Sequence, residues 1–125
     1  MYKRQQPWYF LDEGLYGTFS GVLFDQWDFK LISFREGDEK VAATFAGPSC
    51  DSLDIMFRGR LTVPLQVGDL LLVPSCGAYT SASATTFNGF SKAKFVIWER
   101  VKAEVEPVAA VGRVEMNQSV AQAVK

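Results

Sequence analysis

The apolar residues of this chain come in short runs, each closed by a turn residue, and that spacing points to strands. V-P-L-Q-V-G-D-L-L-L-V-P-S-C-G-A-Y (Val63–Tyr79) is the clearest case. Gly68-Asp69 predicts a turn, Leu70–Val73 a fully buried strand, and Pro74 its stop. Leu15–Asp25 reads as a strand whose two glycines mark a bulge or a close backbone approach. Phe29–Phe34 and Val41–Gly47 read as two more, separated by the charged turn R-E-G-D-E-K, with Gly47-Pro48 ending the pairing. Ala93–Glu99 is the last expected strand, and Thr80–Thr86 fits a short helix or a packed turn equally. Many short strands at regular spacing predict an all-β antiparallel barrel or sandwich. Its 125 residues fit one domain, and ten Phe among 14% aromatics lean the same way. From about Lys102 the aromatics stop. We therefore expect the domain to span 1–102 and residues 103–125 to form a last strand and a flexible tail.

Net charge is −1 and the cations are scattered, which argues against nucleic acid and membrane surfaces as partners. No apolar run approaches the roughly 18 residues of a spanning helix, and M-Y-K-R-Q-Q-P-W-Y-F carries no apolar leader segment. Cys50 and Cys76 belong to no C-x-x-C pair, so reduced thiols and a cytoplasmic location are expected.

The chain has no histidine, which closes imidazole-based catalysis and leaves thiol, carboxylate and phenol chemistry. In G-P-S-C-D-S-L-D, Cys50 stands beside Asp51 with Asp54 following. Neighbouring negative charge disfavours a thiolate, so Cys50 suits a proton donor better than a nucleophile; the plain alternative is a small core residue. Asp25 ends an apolar run, where an acid can face a pocket or open a turn. A pair of acids can hold an ammonium group by charge-assisted hydrogen bonds. Tyr79 in C-G-A-Y can bond a phosphate or merely pack, and Asn88-Gly89 in T-F-N-G-F is a tight-turn dipeptide beside Phe87.

Taken in order, Y-F-L-D-E-G-L-Y-G-T-F-S-G-V-L-F-D, G-P-S-C-D-S-L-D, V-G-D-L-L-L-V-P-S-C-G-A-Y-T and T-F-N-G-F resemble the C-terminal domain of ornithine decarboxylases, over roughly Trp8 to Glu99. Those enzymes are pyridoxal-phosphate-dependent. The resemblance implies a Greek-key-type β-barrel like the C-terminal domain of alanine racemase, here incomplete because its first strand is missing. It implies an active site shared across a homodimer, in which this domain lends its Cys-Asp loop to the cofactor held in a partner's (β/α)8 barrel. By matching motifs, Cys50 resembles the residue that protonates the substrate's α carbon after carbon dioxide leaves. Asp51 resembles the acid that holds the distal ammonium, Asp25 a second acid near it, Phe87 the aromatic lining the pocket, and Tyr79 the cofactor-phosphate ligand. Similar diaminopimelate decarboxylases usually read Cys-Glu, so Asp51 favours a basic amino acid, ornithine first and lysine next. On this reading the product is putrescine and the setting polyamine biosynthesis. The (β/α)8 barrel, its Schiff-base lysine and its glycine-rich phosphate site have no counterpart here, so the chain is expected to be a C-terminal piece, inactive alone. A non-catalytic binding or regulatory barrel, a lysine or diaminopimelate decarboxylase domain, and a poorly folding remnant stand as alternatives.

Overall fold

The computed structural model describes residues 5–24 and 28–97. Asp25, the end of the expected last strand, the boundary at 102 and the tail at 103–125 lie outside them. The chain divides into Met1–Ala93 and Lys94–Lys125, and every element named below lies in the first unit. Strands β1 (Trp8–Phe10), β2 (Ile32–Ser33), β3 (Val41–Ala46), β4 (Ile55–Thr62) and β5 (Leu71–Leu72) precede a one-turn helix, α1 (Thr80–Ser83). Two 3₁₀ turns, Ser20–Phe24 and Phe87–Gly89, complete the described elements. No described helix is long and apolar enough to cross a membrane.

The core is built on β3. It is the central strand of its sheet, hydrogen-bonded to β1 along one edge and to β4 along the other, and its Phe45 is 0% exposed. Tyr9 and Phe57 pack on the Phe45 ring at centroid distances of 5.5 and 6.4 Å, and Phe19 meets Phe57 and Phe29 edge-on. Leu15, Ala43 and Met56 fill the remaining core.

The expectation of strands holds, and four details differ. β1 pairs parallel to β3, so the sheet is not purely antiparallel. The long excursion from residue 11 to 40 supplies the crossover that a parallel pair needs. Second, the described strands form a three-stranded sheet, β1-β3-β4, and a separate antiparallel β2-β5 pair, with no closed barrel among them. Third, Leu15–Phe24 is not a strand. Gly17 and Phe19 amides donate to the Gly14 carbonyl at 3.0 and 3.1 Å, and Thr18 N–H donates to Glu13 Oε2 at 2.9 Å. These local bonds coil the segment, and the four-residue spacing of Leu15 and Phe19 then sends both side chains inward. Finally, the run after Gly68 pairs only over Leu71–Leu72, leaving Leu70 67% exposed; Ala93–Ile97 form no strand.

β4 was not expected as a strand, and its register shows why. Ala43 faces Arg60 while Phe45 faces Phe57, so β4 carries an extra residue around Gly59, whose φ is +67°. The bulge interrupts the alternation by which a strand is read. Arg60 then lies over the Phe57 ring at 4.7 Å and pairs with Asp28.

The expected turn at Gly68-Asp69 is present, with Gly68 at φ +92°. Asp69 accepts from Arg35 Nε at 2.7 Å and from Gln66 N–H at 2.8 Å. Arg35 first, then the Gln66 amide, hold the Asp69 carboxyl below the usual carboxylate range. A lowered folded-state pKa adds stability above the unfolded value and loses it as pH falls through the folded one. The stability advantage of wild type over Asp69→Asn is therefore expected at neutral pH and should shrink in strong acid. Equal differences at both ends of a urea-denaturation pH series would refute this account.

Candidate active site

The Cys-Asp loop is shaped by Asp54, a carboxylate 2% exposed with no cation against it among the described residues. Its Oδ1 accepts the Leu15 amide at 2.8 Å and its Oδ2 the Ser49 amide at 3.0 Å. Its own backbone closes the loop: Gly47 N–H donates to the Asp54 carbonyl at 2.8 Å, and Asp54 N–H to the Asp51 carbonyl at 3.0 Å. A Cβ built on either Gly14 or Gly47 would fall 2.3 Å from Asp54 Oδ1. Both glycines are there because the carboxylate occupies the space.

Residues 48–53 arch over this anchor. Leu53 N–H donates to Asp51 Oδ1 at 2.8 Å, the side-chain-to-backbone bond of an Asx turn. Tyr16 Oη donates to Asp51 Oδ2 at 2.6 Å. That bond, then the Leu53 amide, holds the Asp51 carboxyl below the usual range. Hydrogen bonding to Asp51, then burial and the charges of Asp51 and Asp54, push the Tyr16 phenol up. At neutral pH the pair is therefore a carboxylate and a phenol.

A second segment closes on this one. Phe87 stacks on the Tyr16 ring at 4.1 Å with 25° between planes. Thr85 donates its N–H and its hydroxyl to the Tyr16 carbonyl at 2.8 and 3.1 Å. Asn88, at φ 58° beside Gly89 at φ 80°, donates its Nδ2 to Cys50 Sγ at 3.7 Å. Cys50 is exposed. Tyr16, Ser49, Thr85 and Phe87 line an open cleft with the acids Asp12, Glu13 and Asp54 and the cation Lys92.

Of the five residues expected to carry chemistry, Cys50, Asp51 and Phe87 meet here. Tyr79 is 71% exposed at the N-cap of α1, where its carbonyl accepts from the Ala82 and Ser83 amides. Asp25 lies outside the described residues. Cys76 is instead a packing residue: it lies against the core and donates its thiol to the Thr18 carbonyl at 3.8 Å. Burial, then Glu13, pushes that thiol up. Sequence reasoning gave no role to Tyr16 or to the buried side of Asp54, and read Asn88 as a turn residue only. Tyr16 lies 35 residues from its acid, and no local pattern signals such a pair.

Residues 1–77 match the family described as pyridoxal-dependent decarboxylase, C-terminal sheet domain. The chain is 50% identical over 95 residues to a lysine/ornithine decarboxylase of Selenomonas ruminantium, covering 76% of this chain and 24% of that protein. Its fold is similar to that of SrLDC in complex with PLP and cadaverine, with a TM-score of 0.74 at 44% identity over 85% of this chain and 28% of that one. It is likewise similar to a lysine/ornithine decarboxylase from Vibrio vulnificus complexed with putrescine, with a TM-score of 0.69 at 40% identity over 77% and 26% of the two chains. The chain thus spans about a quarter of the length of these relatives. With the match running through the Cys-Asp loop and covering more than half of its residues, the chain belongs to the C-terminal sheet-domain family of pyridoxal-dependent decarboxylases.

Proposed function

We propose that this chain, with residues 1–102 as its domain, is the C-terminal part of a pyridoxal-phosphate-dependent decarboxylase that converts ornithine to putrescine in the cytoplasm. In this reading it lends half of a dimer-interface active site to a (β/α)8 partner, on the same polypeptide or another. The wider assembly completes the Greek-key barrel that the described strands leave open. One observation carries the proposal. Two distant segments converge so that an exposed thiol, Cys50, and an ionised carboxylate, Asp51, stand together on one rim beside Phe87. Lysine is the second reading, favoured by the relatives named lysine/ornithine decarboxylase.

Each residue then has a task. Asp51, kept anionic by Tyr16, accepts the substrate's distal ammonium, and Asp25 adds a second acid there. Phe87 walls the methylene chain, whose desolvation helps fix the reacting end. Cys50 gives its proton to the substrate's α carbon. The Asn88 amide donates to its sulfur, so the S–H bond points away from Asn88. Pyridoxal phosphate, when bound, supplies the electron sink for loss of carbon dioxide. The residues here fit only the edge of that cofactor. Tyr79, an exposed residue, carries a phenol of the kind that donates to a phosphate, and no Schiff-base lysine motif or glycine-rich phosphate loop is in this sequence.

Two variants of the complete enzyme test the reading. Asp51→Ala removes a hydrogen bond to a charged group and should raise KM for ornithine roughly tenfold or more. An unchanged KM removes Asp51 from the ammonium site. Cys50→Ala should release carbon dioxide in excess of amine, because the carbon that loses the carboxylate no longer receives its proton reliably. A one-to-one yield at the wild-type rate rejects the thiol as the acid.

A further inference from the structure

Resting on the reading of Asp51 as the ammonium site, we propose that Tyr16 is a positioning residue whose hydroxyl fixes the plane of the Asp51 carboxylate, with the Thr85–Phe87 segment holding Tyr16 in place.

Asp51 has two side-chain torsions, and one hydrogen bond leaves its carboxylate free to swing about the bonded oxygen. Here both oxygens are tied. The Leu53 amide takes Oδ1 from within the loop, and the Tyr16 hydroxyl takes Oδ2 from a segment 35 residues earlier. Two anchors from different directions define the plane and leave each oxygen a lone pair to spare. A charge held in a set orientation binds its partner without a further ordering cost.

The anchor is itself held. Phe87 covers the Tyr16 ring, and the two Thr85 donors fix the Tyr16 carbonyl. Thr85 Oγ1 also accepts the Phe87 amide at 3.2 Å, so one threonine ties the stacking residue to the backbone it stacks beside. A surface tyrosine kept only for packing would need the ring but not a hydroxyl 2.6 Å from a carboxylate. The proton belongs to the phenol, since the carboxyl is pushed down and the phenol up by the same bond. Asp54 also faces Tyr16, and Asp12, Glu13 and Lys92 line the same cleft.

Tyr16→Phe separates the roles, because it keeps the ring and deletes the hydroxyl. Carboxyl ¹³C titration of the 125-residue chain should show the Asp51 midpoint rising toward the usual carboxylate range. The Leu15 and Ser49 amide signals, which report on Asp54, should stay in place. Conversely, Asp51→Asn should lower the Tyr16 phenol midpoint read by ultraviolet absorbance. Phe87→Leu, which keeps the hydroxyl and removes the stacked ring, should move the Asp51 midpoint in the same direction by less. An Asp51 midpoint unmoved by Tyr16→Phe overturns the proposal. In the complete decarboxylase, Tyr16→Phe should raise KM for the basic amino acid roughly two- to tenfold with kcat nearly unchanged, and add nothing in an Asp51→Asn background. A shifted midpoint with KM unchanged both here and in Asp51→Ala would uphold the positioning role while sinking Asp51 as the ammonium site.

Discussion

Asp54→Ala is expected to lower the stability of this domain by about 2–5 kcal/mol, since it strands two backbone amides at once. Leu15 and Ser49 donate to separate oxygens of that carboxylate, and Asp54 is buried, so water cannot readily replace either bond. For a domain of this size, the loss corresponds to a fall of roughly 10 °C or more in Tm. Asp54→Asn should fall between, because a carboxamide offers one acceptor and turns a donor toward the other amide. The effect should also be local in kind. The Asp54 backbone carries two of the loop's closing bonds, and its side chain ties the loop to residue 15, next to Tyr16. Amide exchange at Gly47 and Ser49 should therefore speed up more than at Phe45, which sits in the center of the sheet. A Tm within a degree or two of wild type would mean that the two amides find other partners and that the loop does not hang on this carboxylate.

Much of this was legible where one segment decides its own structure. Val41–Gly47 reads as a strand because its apolar run is bounded by a charged turn and a proline, and all but Gly47 forms β3. Asn88-Gly89 and Gly68-Asp69 read as turns, and all but Asp69 take positive φ. The segments that misled are those decided by partners elsewhere. Leu15–Phe24 has strand-like residues, but the Glu13 carboxylate and Gly14 carbonyl coil it. In β4, two arginines and a glycine hide a strand that becomes sensible only once Arg58 lies near Trp8 and Arg60 over Phe57. The candidate site divides the same way. Cys50 and Asp51 are adjacent, so their joint chemistry can be argued from the chain alone. Tyr16 and Asn88 reach them across 35 and 38 residues, and only folding brings them together.

Gly47→Ala should be nearly as damaging as the loss of Asp54, and for a reason that a double-variant cycle can isolate. The added methyl would stand 2.3–2.5 Å from both oxygens and the Cγ of Asp54. Gly47 is not among the glycines with positive φ, so alanine suits its backbone, and the strain is purely the clash. Relief requires the carboxylate to move, and it is pinned by the Leu15 and Ser49 amides, so the substitution breaks at least one of those bonds or distorts the loop. Overpacking with loss of a buried hydrogen bond should cost about 2–4 kcal/mol. With Asp54 already alanine the obstruction is gone. Gly47→Ala should then be neutral, or stabilise by about 0.4–1 kcal/mol through the reduced freedom of the unfolded chain. The cost thus vanishes or changes sign between the two backgrounds, a coupling too large for independent sites. Gly14→Ala approaches the same carboxylate from the residue before Leu15 and should behave alike. If Gly47→Ala costs the same with and without the Asp54 carboxylate, urea unfolding of the four proteins will show parallel losses, and the glycine is required for some property of its own rather than as the space that the buried acid fills.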